Sequence, residues 1–385
     1  MRFRFLLSGP HGALELSPED LEQPFLTSPS EKHPYLTLKD YFGALQKLML
    51  SREGDILCSA LRNQNLQNFD LSDISEVVIS SEKHGAFYHI ASISLSGLKK
   101  KIQFAVTTAL SASAKASLME EFVIMQQLAG MNSDFLPEVY FWEAVTCHTD
   151  SGAEEFVMML GEWLDGYHEW HLSNDPVSNM RQIRLWDYEK GYRFLSEVES
   201  YEMLRQVAYI LTYYYDQTSF CEIYPWHHGA GDFVVKAEFG ALSVKLITVR
   251  QYEPLVHFEQ AEDADRLVAA IHFLLNLSLR LRLDRLDGVG EPAWINDFSV
   301  QAAVEGFFAG LRAPSATNRL MLGSLTDFLE IIQSFDSREI ADMYESLLHI
   351  YAEEDQDDFG LIKAKLPEHA SQLRAVLQSF SLREH

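Results

Sequence analysis

The feature that most constrains this chain is a change in the spacing of its apolar residues. They recur at every second position, then at helical spacing, then at every second position again, before helices take over. Residues 77–80, 87–95 and 102–109 are β-branched or aromatic runs, separated by His84-Gly85 and by Gly97 with Lys99, Lys100 and Lys101. Alternation places one face of a pleated strand on a core, so these runs predict a three-stranded antiparallel meander. Residues 117–130 follow with Leu118, Phe122, Met125 and Leu128 on one helical face and Gly130 as the stop. Two further strands are expected at 139–146 and 156–160, joined by the polar turn 150–153. Antiparallel strands on short turns need no crossover helices, so the order is that of a segregated α+β fold rather than a βαβ series.

Residues 1–73 read as an N-terminal extension, with a Ser- and Pro-rich loop at 24–34 and a helix at 38–50 that carries Tyr41, Leu45, Leu48 and Met49 on one face. After Glu162-Trp163-Leu164-Asp165-Gly166 the composition turns aromatic and helical. A long helix is expected at 199–215, short strands at 221–249, and helices from Ala264 onward with breaks at 288–292 and 313–315. The division is thus 1–73, a strand-rich 74–163 and a mostly helical 164–385. A length of 385 residues fits two or three units at about 150 residues each.

A net charge of −25 sets the surface against a nucleic-acid backbone or an anionic membrane as main partner. Arg280, Arg282 and Arg285 are the best candidates for a local basic patch. Cys58, Cys147 and Cys221 are scattered, odd in number and without CxxC spacing, which indicates neither a disulfide framework nor a zinc site and fits a reducing compartment. The apolar run within residues 1–10 is too short for a signal peptide, and no stretch approaches the roughly 20 apolar residues of a membrane span. A cytoplasmic location is expected, with a small molecule or a protein as partner.

The element order resembles the protein-kinase-like fold, in the branch of aminoglycoside and choline phosphotransferases, from about Ser75 to the end of the chain. The resemblance implies two lobes: a five-stranded antiparallel sheet with one helix, then a mostly helical lobe, with ATP and Mg²⁺ between them in active members. It also implies what each position should do. The glycine-rich turn is reduced to Gly85 in Ser81-Glu82-Lys83-His84-Gly85-Ala86, where an ordinary hairpin glycine serves as well. In Phe104-Ala105-Val106-Thr107 the phosphate-clamping lysine is replaced by Thr107. The helix glutamate is retained as Glu121, either in its family role or as a surface carboxylate. Backbone near Glu162 and Leu164 corresponds to the hinge that receives adenine.

In Tyr224-Pro225-Trp226-His227-His228-Gly229-Ala230-Gly231-Asp232-Phe233-Val234-Val235 the resemblance puts Asp232 at the metal-binding position and His227 at the catalytic aspartate. A carboxylate suits Mg²⁺, and an imidazole titrates near neutrality. Thr248 stands at the second metal-binding aspartate, and Asp265 opens an apolar helix. Asp232 and His227 are therefore the candidate catalytic pair, with Asp232 the candidate metal ligand. The open alternative is that the histidines cap backbone groups and Asp232 fixes a turn.

Two other constellations stand beside this one. His227, His228 and Asp232 offer transition-metal ligands, as do His168 and His171, three apart on an expected helix, but no HExxH is present. A Ser-His-Asp hydrolase lacks a GxSxG elbow. With the lysine and both aspartates replaced, the expectation is a pseudokinase-like binding or regulatory protein that binds ATP and Mg²⁺ weakly or not at all. The alternative is an atypical small-molecule phosphotransferase using His227 and Asp232.

Overall fold

The computed structural model describes the chain except at residues 10–11, 29–30, 64–70, 85–86, 99–100, 188–190, 227, 239, 259–262, 314–323, 355 and 383–385. The chain divides into two units, one of Met1–Ala129 with Pro137–Asp165, the other of Gly130–Leu136 with Gly166–His385. The class is α+β, with a large mixed sheet in the first unit and a helical C-terminal part.

The first unit contains β1 (Arg2–Gly9), β2 (Gly12–Glu15), α1 (Pro18–Leu21), β3 (Pro24–Ser28), β4 (Glu31–Thr37), α2 (Leu38–Leu50) and α3 (Asp55–Asn63). It continues with β5 (Glu76–His84), β6 (His89–Ser96), β7 (Ile102–Ala109), α4 (Ala112–Ala129), β8 (Val139–Thr149) and β9 (Gly152–Glu162). The five expected strands are present and pair antiparallel in the order β5-β6-β7-β9-β8. The sheet, however, has seven strands and not five, and it is mixed. β1 runs parallel to β5, from Arg2 opposite Glu76 to Leu7 opposite Ser81, and β2 pairs antiparallel with β1.

The first 15 residues of the segment read as an extension therefore bring two strands, β1 and β2, to the sheet. Phe3 and Phe5 pack on the core, while Arg4 between them pairs with Glu15 at 2.7 Å and Glu76 at 3.5 Å. The expected loop at 24–34 is a second correction. β3 and β4 form an irregular hairpin, and Phe25 and Leu36 are buried in the core.

Helix α2 starts at a capping box, in which the Thr37 hydroxyl accepts from the Asp40 N–H while the Asp40 carboxylate accepts from the Thr37 N–H. Its buried face (Tyr41, Phe42, Leu45, Leu48) joins Val77, Ile93, Phe104, Val106 and Phe156 in one apolar cluster. α4 packs on β7, β8 and β9, and Leu118, Met125 and Leu128 are buried on it.

The second unit opens with β10 (Trp170–Asn174), β11 (Arg181–Leu185) and β12 (Arg193–Phe194), a three-stranded antiparallel sheet where helix was expected. Trp170, Leu172, Ile183 and Leu185 alternate inward with period two. The dense Trp, Tyr and His around them obscured that period. Next come α5 (Glu197–Tyr213), β13 (Cys221–Ile223), α6 (Gly229–Asp232), β14 (Phe233–Glu238), β15 (Ala241–Leu246) and β16 (Tyr252–Pro254). They are followed by α7 (Asp263–Arg280), β17 (Leu283–Arg285), β18 (Pro292–Trp294), α8 (Phe298–Arg312), α9 (Leu325–Ser334), α10 (Ser337–Met343), α11 (Glu345–Glu354) and α12 (Gln356–Ser379).

α5 and α8 approach closely at two glycines. A Cβ at Gly306 would lie 2.3 Å from the Arg205 carbonyl oxygen, and one at Gly310 would lie 2.6 Å from Thr212 Cβ. Among the described residues, no helix is long and apolar enough to cross a membrane.

Candidate functional site

The segment singled out by the sequence lies in the second unit, between two small antiparallel pairs. β13 pairs with β16, setting Ile223 opposite Tyr252, and β14 pairs with β15, setting Phe233 opposite Leu246. Phe233, Val235, Val244 and Leu246 are buried, which fixes the register of the β14–β15 hairpin. Asp232 is the last residue of α6, directly before that hairpin, and its carbonyl accepts a hydrogen bond from the Ile247 N–H at 2.8 Å. The register thus forces a carboxylate into a place where only 1% of the residue is exposed.

A buried charge needs a partner, and Arg250 supplies it. Arg250 Nη1 donates to Asp232 Oδ2 at 2.9 Å, and Nη2 stands 2.9 Å from Oδ1. Nη1 also donates to the Pro225 carbonyl at 3.2 Å. One guanidinium therefore ties the start of the 225–232 segment to its end.

The remaining residues of the segment are held from the C-terminal helices. His228 precedes α6 but makes no side-chain cap to it. Its Nε2 instead lies 2.8 Å from Asp358 Oδ2, and Arg285 Nη2 lies 3.5 Å from Asp358 Oδ1. A Cβ on Gly229 would touch Trp170 at 3.5 Å, whereas Gly231 is exposed with nothing within 4 Å of an added Cβ. His228 does not cap the backbone of α6, while Asp232 is held at its own backbone carbonyl by the Ile247 N–H and at its carboxylate by Arg250. His227 lies outside the described residues.

Beneath the segment is a layer of buried charge. Tyr224 donates to Glu354 Oε2 at 2.5 Å and accepts from Arg280 Nη2 at 2.8 Å. Arg280 Nε donates to Asn276 Oδ1 at 3.0 Å, Tyr351 donates to the same oxygen at 2.9 Å, and the guanidinium lies 4.7 Å from the Tyr351 ring centroid. Burial pushes the Glu222 carboxyl up to about 8, against the opposing pull of Asn276 and Arg280. This layer corrects the expected basic patch. Arg280 and Arg282 are fully buried, with Arg282 donating to the Ile295 carbonyl and to Asp297 at 2.7 Å. Only Arg285 of the three reaches the exterior, where it pairs with Asp357 at 3.1 Å.

The other expected site residues fall as follows. Thr248 is half-buried in the irregular stretch after β15. In the first unit Thr107 lies on β7, opposite Ile90 and Met159, and alternates away from the buried Phe104 and Val106. Glu121 is buried, with 3% of it exposed, and is not a surface carboxylate. The N–H of Glu162 donates to the Glu138 carbonyl at 2.7 Å, and its carboxylate accepts from the Glu138 N–H at 3.2 Å. Leu164 is half-buried just past β9. Gly85 lies outside the described residues, as do Lys99 and Lys100.

The donor set does not fit a divalent metal. The Asp232 carboxylate is engaged by Arg250, and Thr248 brings a neutral hydroxyl where a carboxylate would bridge metal and phosphate. His168 and His171 lie on strand-type backbone, not on a helix. They meet different carboxylates, Asp187 at 3.5 Å and Asp284 at 3.3 Å. Among the described residues, no group of three or more His, Cys, Asp or Glu is arranged to hold a metal ion.

Sequence reasoning found Asp232 and missed Arg250, Glu222, Glu354 and Asp358. The available signal was a basic residue four positions beyond the second hairpin strand. No protein-family model matches this chain, and no curated protein matches it.

Proposed function

We propose that this chain is a pseudokinase-like ligand-binding or regulatory protein with degenerate nucleotide handling. The observation that carries the reading is the Arg250–Asp232 pair. In an active member of the kinase-like fold, the group at this position is turned to Mg²⁺. Here the chain supplies the positive charge itself, and the carboxylate is neutralised without a metal.

Further support comes from the first unit, whose strands β5 to β9 and helix α4 follow the order and the antiparallel pairing that the resemblance implies. Thr107 and Thr248 each bring a hydroxyl where the family brings a charge. A lost charged hydrogen bond costs on the order of 1.5–3 kcal/mol, or one to two decades in affinity. A net charge of −25 further disfavours a polyanionic partner and leaves a small molecule or a protein.

Calorimetry with ATP and ADP, each with and without Mg²⁺, tests this reading. Weak nucleotide binding that Mg²⁺ changes by less than about threefold is the expected result. Tight, Mg²⁺-dependent ATP binding, or transfer of phosphate to an acceptor, would overturn it. That outcome would favour a phosphotransferase in which Asp232 exchanges Arg250 for a metal and His227 takes the acceptor's proton.

A further inference from the structure

A hollow of about 200 Å³ lies within the second unit, walled by the β10–β11 hairpin, the first turns of α5 and the start of α8. Its wall is mainly apolar. Leu172, Ile183, Leu195 and Ile295 line it and are themselves buried, and the half-buried Phe298 adds an aromatic ring. Met180 and Glu197 also line it and are exposed, so the hollow opens to solvent on their side. An apolar cavity of about 150 Å³ accepts benzene, so this one has room for a single ring with a short arm.

The charges around the hollow decide what such an arm can carry. Arg181, on the lining, is engaged by Glu291 at 3.1 Å, and Asp297, beside it, by Arg282 at 2.7 Å. Glu197 is left as the lining charge that no described cation pairs with. It is not needed to close α5, because Ser196 and Glu199 do so in a capping box. The start of α8 offers nothing to an anion: the Ser299 and Val300 N–H groups already donate to the Asn296 and Asp297 carbonyls, each at 3.1 Å, and the Asp297 carboxylate flanks them. The hollow therefore carries one uncompensated negative charge, in a chain whose net charge of −25 draws cations. Two lining groups suit a cation further. The Phe298 ring presents a π-face or edge to it, and the Gln182 amide oxygen is a second acceptor.

We propose that this hollow binds a small organic monocation, an ammonium compound with one apolar or aromatic body. The body packs on Leu172, Ile183, Leu195 and Ile295, and the ammonium group donates to the Glu197 carboxylate at the open side. The proposal is independent of the nucleotide reading, because it uses none of the residues around Asp232.

The probe is benzylammonium chloride, titrated into the full chain while isoleucine and leucine methyl signals are followed by NMR. Benzyl alcohol and sodium benzoate are the uncharged and anionic comparisons. The expected result is saturable shifts of the Ile183 and Ile295 methyls with a dissociation constant of about 1 mM or tighter. Benzyl alcohol should bind at least about threefold more weakly, the scale of one exposed ion pair, and benzoate at least about tenfold more weakly. Glu197→Gln changes an exposed side chain outside the capping box, so the fold should be kept. It should bring benzylammonium down to the affinity of benzyl alcohol. Absence of saturable shifts at Ile183 and Ile295 overturns the site. Benzyl alcohol or benzoate binding as tightly as benzylammonium overturns the cation class, as does benzylammonium binding unchanged in Glu197→Gln.

Discussion

Arg250 donates a hydrogen bond to one carboxylate oxygen of Asp232 at 2.9 Å and stands 2.9 Å from the other, which lacks a hydrogen bond of its own among the described residues. The same guanidinium reaches the Pro225 carbonyl. The pair is asymmetric in burial, since the Asp232 side chain is 2% exposed and that of Arg250 is 31% exposed. Asp232 thus depends on Arg250 more than Arg250 depends on Asp232. A planar fork that meets a carboxylate and a carbonyl at once also sets direction, which a lysine ammonium would not.

Removing Arg250 should therefore destabilise more than removing the charge it serves. Arg250→Met leaves a buried carboxylate unpaired, and a loss of about 2–4 kcal/mol is expected after allowing for the exposure of the guanidinium, with a smaller loss for Asp232→Asn. The double variant Arg250→Met/Asp232→Asn should recover at least half of that loss. Urea unfolding of the two single variants and the double variant checks it. Additive losses would show that the two residues are not coupled.

Part of this architecture was legible in the sequence. The strand at Ile102–Ala109 and the helix at Leu38–Leu50 match their expected limits, because in each a single period governs the whole segment and one face meets a core. β1 escaped because Leu6-Leu7 interrupts the alternation of Phe3, Arg4 and Phe5, and only the parallel pairing with β5 reveals it. Asp232 was singled out through the resemblance, which sets it before the apolar strand at 233–235. Arg250 was not, since a pair 18 residues apart forms only when the β14–β15 hairpin folds back. Arg280 and Arg282 were misjudged for a general reason: arginine is priced as a surface residue until its partners are known. Here Asn276, Tyr224, Asp297 and the Ile295 carbonyl are those partners.

The acid limb of stability should carry the mark of His369. It is fully buried in α12, with Nε2 lying 2.8 Å from the Tyr344 hydroxyl. Burial, assisted by the nearby Arg282 charge, pushes its pKa down to about 3. Between pH 6.5 and 3 the unfolded chain binds a proton there that the native chain refuses. Stability therefore falls as pH is lowered through that window, by at most about 1.4 kcal/mol per unit from this one group. His369→Gln keeps a hydrogen-bonding group and removes the titration. Urea midpoints from pH 4 to 7 should slope less steeply in the variant, and equal slopes would rule the assignment out.

Glu222 should act in the opposite sense and at higher pH. Its carboxyl is pushed from the ordinary 4.5 to about 8 by burial, so the native chain keeps a proton that the unfolded chain gives up. Stability from this group is fully present below pH 4.5 and is lost as pH rises toward 8, again by at most about 1.4 kcal/mol per unit. Glu222→Gln should be nearly neutral at pH 5 and stabilising relative to wild type at pH 8. A difference between the two proteins that does not change with pH would show Glu222 ionised throughout.

Glycine-to-alanine substitutions in two helices of the second unit should have opposite signs. At Gly306 in α8 the added Cβ would lie 2.3 Å from the Arg205 carbonyl oxygen and 2.6 Å from Ala208 Cβ, both on α5. Neither neighbour is the end of a flexible side chain, so the helices must separate. Overpacking of this kind costs about 1–3 kcal/mol, against a helix-propensity gain of up to about 1 kcal/mol. A net loss of about 1–2 kcal/mol is expected. Gly360 in α12 has nothing within 4 Å of an added Cβ, so Gly360→Ala collects the propensity gain alone, about 0.5–1 kcal/mol. Thermal and urea unfolding of the two variants side by side separates close packing from backbone entropy. If Gly306→Ala is as stable as wild type, α5 and α8 do not meet at the distance described.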